Sequence, residues 1–165
     1  MRARAIELEA NYAATRNLKL NLNASHNQAT YLDFATTAPD TSSTQQINFA
    51  GRQLLGAPKN IVNASVDYAH PLGRYLARVC VNNSYRSGTY LASNQSPFTY
   101  QRACSLTDGA IALGTPDGKC ELSVVGKNLF NQAYATGAGT FSGSNAVTLQ
   151  PGYDRTFAAV FRAKL

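Results

Sequence analysis

The sequence is poor in charge and contains no long apolar run. Only 15% of its 165 residues are charged, Trp is absent and Met occurs once. No stretch reaches the roughly 18 apolar residues that a membrane-spanning helix needs. The sequence therefore excludes a helical membrane protein, whereas membrane-spanning strands remain open. A hydrophobic content of 44% excludes wholesale disorder, and the length fits one ordinary domain.

Cysteine is also scarce. Cys80, Cys104 and Cys120 show no Cys-x-x-Cys spacing, and their odd number excludes a complete set of intramolecular disulfides. A Cys80–Cys104 disulfide is allowed if the two lie on adjacent strands, but the loop between them leaves the register undefined. His26 and His70 have no acidic residue at a metal-ligand spacing. The sequence therefore predicts no metal site and no cofactor.

Signatures of catalysis and of nucleic-acid binding are missing as well. No Ser, His and Asp set and no Cys and His set has a recognisable local motif, so an enzyme is not expected. The formal net charge is +6, but the basic residues are scattered singly along the chain rather than clustered. We therefore expect no nucleic-acid partner.

What the sequence does contain is a repeated alternation of apolar and polar residues. From Leu18 to Ser25 every even position is apolar and every odd position is polar, a pattern typical of a strand with one apolar and one wet face. The same alternation recurs around Ile6–Tyr12, Val62–Tyr68, Tyr75–Val81 and Thr156–Leu165. It predicts an all-β protein, an antiparallel up-and-down meander of about seven strands without helices.

The predicted connections alternate strictly between tight and long. Tight turns are expected near 14–17, at His70–Arg74 and near 116–119, and the third hairpin returns to about Tyr134. Long connections rich in Ser, Gly, Thr or Asn are expected near 35–57, 92–102 and 135–149. All tight turns then lie at one end of the sheet and all long loops at the other, as in outer-membrane barrels. A soluble sandwich or barrel that acts as a binding module remains the alternative.

Four landmarks, in order along the chain, resemble TonB-dependent outer-membrane receptors. Ile6–Glu9 resembles an upstream strand of that family, and Gly56–Asn60 resembles its Ala-Pro-Lys strand start. The tail Pro151–Leu165 resembles the closing strand of the barrel. The penultimate-strand motif Gly-Lys-Asn-Leu-Phe-Asn-x-x-Tyr is matched by Gly126, Lys127, Asn128, Leu129, Phe130, Asn131 and Tyr134.

The resemblance implies that residues 1–165 are the C-terminal portion of a 22-stranded transmembrane barrel in the bacterial outer membrane. Met1 is followed by no apolar signal segment. The plug domain and the signal peptide are therefore expected upstream of this chain. The implied function is TonB-energised uptake of a scarce ligand of the siderophore, cobalamin or oligosaccharide class. The implied partners are membrane lipid, the rest of the barrel and plug, TonB through the plug, and the barrel-assembly machinery.

Site residues can be named only broadly from the sequence. The barrel-closing strand would carry Arg155, Phe157, Phe161 and Leu165, the last in place of the family's terminal aromatic residue. Ligand contacts would come from the long loops and the upper inner wall. The basic candidates there are Arg52, Arg86 and Arg102, and the polar ones are Gln53, Asn94 and Gln95. Tyrosines near the strand ends are candidates for an interfacial girdle, with ordinary strand propensity as the alternative: Tyr75, Tyr85, Tyr90, Tyr100, Tyr134 and Tyr153.

Overall fold

A computed structural model of the chain describes residues 1–37, 46–140 and 146–164. Seven long strands form one antiparallel sheet. They are β1 (Arg2–Ala13), β2 (Leu18–Thr30), β5 (Asn60–Leu72), β6 (Tyr75–Arg86), β9 (Cys104–Gly114), β10 (Cys120–Lys127) and β13 (Thr156–Ala163). Their order in the sheet is their order in the chain, β1-β2-β5-β6-β9-β10-β13, so the predicted up-and-down meander is confirmed.

Short elements that the alternation did not predict lie in the three long connections. They form three two-stranded sheets and one 3₁₀ turn. Their bounds are β3 (Ala35–Thr37), β4 (Gln46–Asn48), β7 (Thr89–Tyr90), the 3₁₀ turn (Pro97–Thr99), β8 (Tyr100–Gln101), β11 (Ala135–Thr140) and β12 (Val147–Pro151). The long connections are therefore structured in their described parts. Among the described residues, no helix is long and apolar enough to cross a membrane.

Tight turns and long connections do lie at opposite ends of the sheet, which we call the turn end and the loop end. At the turn end, Leu72 pairs with Tyr75, so only two residues connect β5 to β6. The prediction of a turn over His70–Arg74 was therefore too long. Gly73, with φ of +61°, adopts the left-handed conformation that such a two-residue turn requires.

Strand register divides the side chains of the sheet into two faces of opposite character. Residues that pair directly across an antiparallel ladder point to the same side. On one side, the apolar face, Leu20 pairs with Val66, Val66 with Val81, and Leu122 with Phe161. Large exposed residues of this face are Ile6, Leu8, Tyr12, Leu22, Val66, Tyr68, Leu72, Tyr75, Val79, Val81, Ile111, Leu113, Leu122, Val124, Phe157 and Phe161.

The buried side chains lie around the loop end rather than along the apolar face. Phe49 is only 1% exposed and packs beside Phe34, whose ring stacks on Tyr31 with 4.7 Å between ring centroids. The other described residues that are buried are Ala29, Thr89, Ala92, Gln95, Ser96, Thr99, Cys104, Asn128 and the glycines Gly114 and Gly126. The protein therefore exposes its apolar sheet face, and most of its small core comes from connecting segments.

Candidate functional site

The second side of the sheet, the polar face, carries rows of amide and hydroxyl side chains. Asn82 lies between Ser65 on β5 and Asp108 on β9, and Asn63 lies between Asn23 and Ser84. The Asn21 amide donates to the Ser65 hydroxyl at 2.8 Å. These rows form the floor of an open cleft of about 370 Å³, and Tyr153 enters its wall from the loop end.

The structure places the three basic candidates in different surroundings. Arg86 lines the cleft and forms no salt bridge with any residue that the structure describes. Arg52 instead lies over the Phe49 ring, with its guanidinium carbon 4.8 Å from the ring centroid. Arg102 is exposed and is not among the residues that line the cleft. Of the three, Arg86 alone is positioned to meet a ligand in the cleft.

Two of the polar candidates connect long loops to each other. The Gln95 side chain is only 5% exposed, and its amide donates to the Gln53 carbonyl oxygen at 2.7 Å. Gln53 in turn donates to the carbonyl oxygens of Ala57 and Gly88. These bonds join the 31–59 connection to the 87–103 connection. The Asn94 carboxamide accepts a bond from the Ser96 backbone, so it too is used locally.

We expect Gln95→Ala to loosen the loop end without unfolding the sheet. The substitution removes the hydrogen bond from the Gln95 amide to the partly buried Gln53 carbonyl, and leaving that carbonyl without this donor costs about 1–3 kcal/mol. Local opening of the two connections should rise accordingly, and limited proteolysis within 31–59 and 87–103 should accelerate. Gln28→Ala, which truncates an exposed glutamine of β2, is the control. Equal cleavage rates in the two variants would contradict this role for Gln95.

The segment that resembles the family motif, residues 126–134, forms a structural junction at the end of β10. Asn128 is 1% exposed and left-handed, with φ of +48°. Its backbone N–H donates to Asp108 Oδ1 at 2.8 Å, and its Nδ2 donates to the carbonyl oxygens of Gln132 and Tyr153. Its Oδ1 accepts the Gln132 N–H at 2.8 Å. This left-handed residue follows Lys127, so β10 ends there, and the prediction of a strand running to Tyr134 was wrong.

The remaining motif residues complete the same junction. The Leu129 side chain lies so close to Gly126 that a Cβ added to the glycine would meet Leu129 Cδ2 at 2.5 Å and the Phe157 ring at 2.9 Å. Asn131 accepts the Arg155 N–H at 3.0 Å. Phe130 is 78% exposed. The motif residues therefore connect β9, β10 and the start of β13, and their role is structural.

Tyr134 closes the junction against the segment before β13. Its ring is edge-on to that of Tyr153, and its carbonyl accepts the Gly152 N–H at 2.9 Å. A Cβ on Gly152 would collide with the Tyr134 ring, so only glycine fits there. Partial burial raises the pKa of the Tyr134 hydroxyl above its usual value.

The structure places two of the six tyrosines predicted for a girdle on the apolar face of the sheet. Tyr75 and Tyr85 lie on the apolar face at the two ends of β6, as a girdle requires. Tyr90 instead packs edge-on against Tyr100 within the 87–103 connection. Because Tyr134 and Tyr153 likewise form a ring pair, four of the six predicted girdle residues pack within long connections rather than on the sheet.

Ionic contacts on the polar face lie near the turn end. Glu121 accepts a bond from Arg78 at 2.7 Å, and Arg162 lies 3.8 Å from its other oxygen. In the turn between β9 and β10, the Thr115 hydroxyl donates a hydrogen bond to the Asp117 carboxylate. This bond lowers the pKa of the Asp117 carboxyl. Within the described residues, no group of three or more His, Cys, Asp or Glu residues could hold a metal ion.

The register excludes the Cys80–Cys104 disulfide. Cys80 pairs with Ala110, and Cys104 pairs with Arg86. Six residues of strand therefore separate the two positions, which corresponds to about 20 Å. A disulfide needs Cα atoms within about 7 Å, and all three cysteines are free.

β13, the strand predicted to close the barrel, is the sheet edge beyond β10. Phe157 and Phe161 lie on the apolar face and are 66% and 69% exposed. Arg155 lies just before the strand, while Leu165 is outside the described residues. On its other edge the sheet ends in β1. Neither edge is paired by another described strand.

Solved structures show where such a sheet occurs. The chain superposes on the ferric yersiniabactin uptake receptor FyuA from Yersinia pestis with a TM-score of 0.76 at 14% identity, covering 96% of this chain and 22% of the receptor. It superposes on the siderophore receptor PiuA from Acinetobacter baumannii with a TM-score of 0.74 at 13% identity, covering 96% and 21%. The chain has the fold of a TonB-dependent receptor barrel segment.

A third superposition is weaker. BauA, the ferric preacinetobactin receptor from Acinetobacter baumannii, gives a TM-score of 0.52 at 12% identity, covering 95% of this chain and 26% of that one. The chain thus spans about a quarter or less of each of these receptors. No protein-family model matches the sequence, and no curated protein matches it.

Proposed function

We propose that the chain forms seven adjacent strands of the wall of a receptor barrel in the bacterial outer membrane. The observation that carries this proposal is the apolar face, on which residues such as Ile6 and Ile111 are 76% and 65% exposed. A lipid-facing barrel wall requires such a surface, with polar residues alternating toward the inside. The opposite placement of tight turns and long connections supports the same assignment.

The two sheet edges indicate what surrounds the chain. Backbone groups on the free edges of β1 and β13 would lack partners in lipid, where no water can satisfy them. Neighbouring strands of a larger barrel, about 22 in the receptors of this fold, would pair with them. In this proposal a plug domain fills the barrel, TonB acts through that plug, and the barrel-assembly machinery inserts the protein.

The proposed activity is energised uptake of a scarce ligand rather than chemistry on it. The superposed proteins are siderophore or ferric-siderophore receptors, which supports the siderophore class ahead of cobalamin or an oligosaccharide. On this chain, the cleft on the polar face offers amides, hydroxyls and the guanidinium of Arg86, which forms no salt bridge with a described residue. Oxygen-rich or anionic groups of a ligand would find hydrogen-bond donors there.

Refolding tests this function against a soluble binding module. Chain diluted from urea should acquire a cooperative β-sheet unfolding transition in detergent micelles, because detergent covers the apolar face, and should aggregate in plain buffer. Circular dichroism and light scattering report the two outcomes. A soluble monomer with a cooperative melt in plain buffer would contradict the membrane assignment and favour the sandwich, which needs a second layer over the apolar face.

A further inference from the structure

Two arginines interrupt an otherwise uncharged apolar face. Arg2 pairs with Thr30 and Arg4 with Gln28, so both lie on the same side of β1 as Ile6 and Leu8. They are the only Asp, Glu, Lys or Arg residues on that side of the seven long strands. The others lie on the polar face: Glu7, Glu9, Lys19, Asp67, Arg78, Arg86, Asp108, Glu121, Lys127 and Arg162.

The surroundings of these arginines are polar but uncharged. Opposite them on β2 lie Thr30, Gln28 and, beside Ile6, His26. The His26 ring is hydrogen-bonded to Asn60 at 2.7 Å. Neither guanidinium forms a salt bridge with a residue that the structure describes. We call Arg2, Arg4, His26, Gln28 and Thr30 the basic patch.

The basic patch lies directly beyond the apolar band, at the loop end. Arg4 is the next residue on this face after Ile6, about 7 Å further along the strand. An arginine at the bilayer midplane costs about 2–4 kcal/mol, but close to the interface that cost falls nearly to zero. Both side chains therefore extend from the lipid-facing side at the height where headgroups begin.

We propose that the basic patch binds the phosphate groups of outer-leaflet lipid. The guanidinium of arginine matches phosphate oxygens with two parallel hydrogen bonds, and no described residue forms a salt bridge with either guanidinium. The neutral amides and hydroxyls beside them supply further donors. This proposal rests on the proposed function, because it takes the apolar face as lipid-facing and the loop end as external.

The test uses the full chain in detergent micelles titrated with lipid A or with its dephosphorylated form. Native mass spectrometry counts the lipid retained. Arg2→Gln/Arg4→Gln should require about 10- to 30-fold more lipid A for half-saturation, because each arginine near an anionic surface contributes about one kcal/mol. The dephosphorylated lipid should bind weakly to both proteins.

A matched control distinguishes the effect of the basic patch on lipid A binding from the effect of net charge. Arg16→Gln/Arg74→Gln removes the same charge from exposed residues in the tight turns, at the opposite end of the sheet, and should leave lipid A binding unchanged. An equal loss in both double variants would overturn the proposal, as would displacement of lipid A by inorganic phosphate. A wild-type chain that enters no micelle would instead contradict the proposed function itself.

Discussion

Replacement of Asn128 by Ala should lower the free energy of unfolding by about 3–5 kcal/mol. The side chain makes three hydrogen bonds within a buried junction, to Gln132 twice and to Tyr153 once. Each hydrogen bond contributes about 0.5–1.5 kcal/mol, and the backbone groups of Gln132 and Tyr153 would lose their hydrogen-bond partner. Ala also tolerates the left-handed backbone less well than Asn, at about 1–2 kcal/mol. Urea unfolding of the chain in detergent micelles, followed by circular dichroism, measures the loss.

Asn131 provides an internal control for the cost of placing alanine in a left-handed backbone conformation. It is also left-handed, with φ of +50°, but it is exposed, and among the described residues its side chain bonds only to the Arg155 N–H. Asn131→Ala should therefore cost about 1–2 kcal/mol, mostly from the backbone. If both variants lose the same stability, the buried amide network of Asn128 contributes nothing, and our account of the motif is wrong.

The sheet was predictable from the sequence because one physical signal determines it. Period-two alternation, as in Leu18–Ser25, places apolar residues on one side and fixes the register once strands pair in order. Tight turns were located for the same reason, although alternation could not show that β5 continues through His70 to Leu72. A residue such as Pro71 suggests a turn, yet here it occupies the end of a strand beside Leu76.

The loop end was less predictable because its polar side chains form hydrogen bonds that hold the long connections together. Gln95 and Gln53 were ligand candidates in the long loops, but each donates to a backbone carbonyl of the other connection, Gln95 to Gln53 and Gln53 to Gly88. Nothing in their local sequence specifies partners about 40 residues away. A buried glutamine and a ligand-binding glutamine are alike in sequence, and only the structure shows that Gln95 is 5% exposed.

The end of β10 shows the same limit for a recognised motif. From the sequence, Gly126 to Tyr134 could be matched to a family pattern, but the structural role of these residues could not be inferred. That role depends on residues distant in sequence, because Asn128 donates hydrogen bonds to Asp108 and to the Tyr153 carbonyl oxygen. Left-handed asparagine is the local signal that the strand stops there, and Asn128 and Asn131 both carry it.

An arginine on the apolar face should destabilise the chain far more than one on the polar face. Val66 lies in the middle of the apolar band on β5, between Leu20 and Val81, so Val66→Arg places a charge at lipid depth. The expected loss is about 2–4 kcal/mol, measured by guanidinium chloride unfolding of the chain in detergent micelles. Asn63→Arg, on the polar face of the same strand, should cost under about 1 kcal/mol because its side chain meets water. Equal losses at the two positions would mean that the apolar face does not contact lipid, and the lipid-phosphate site at Arg2 and Arg4 would fail with it.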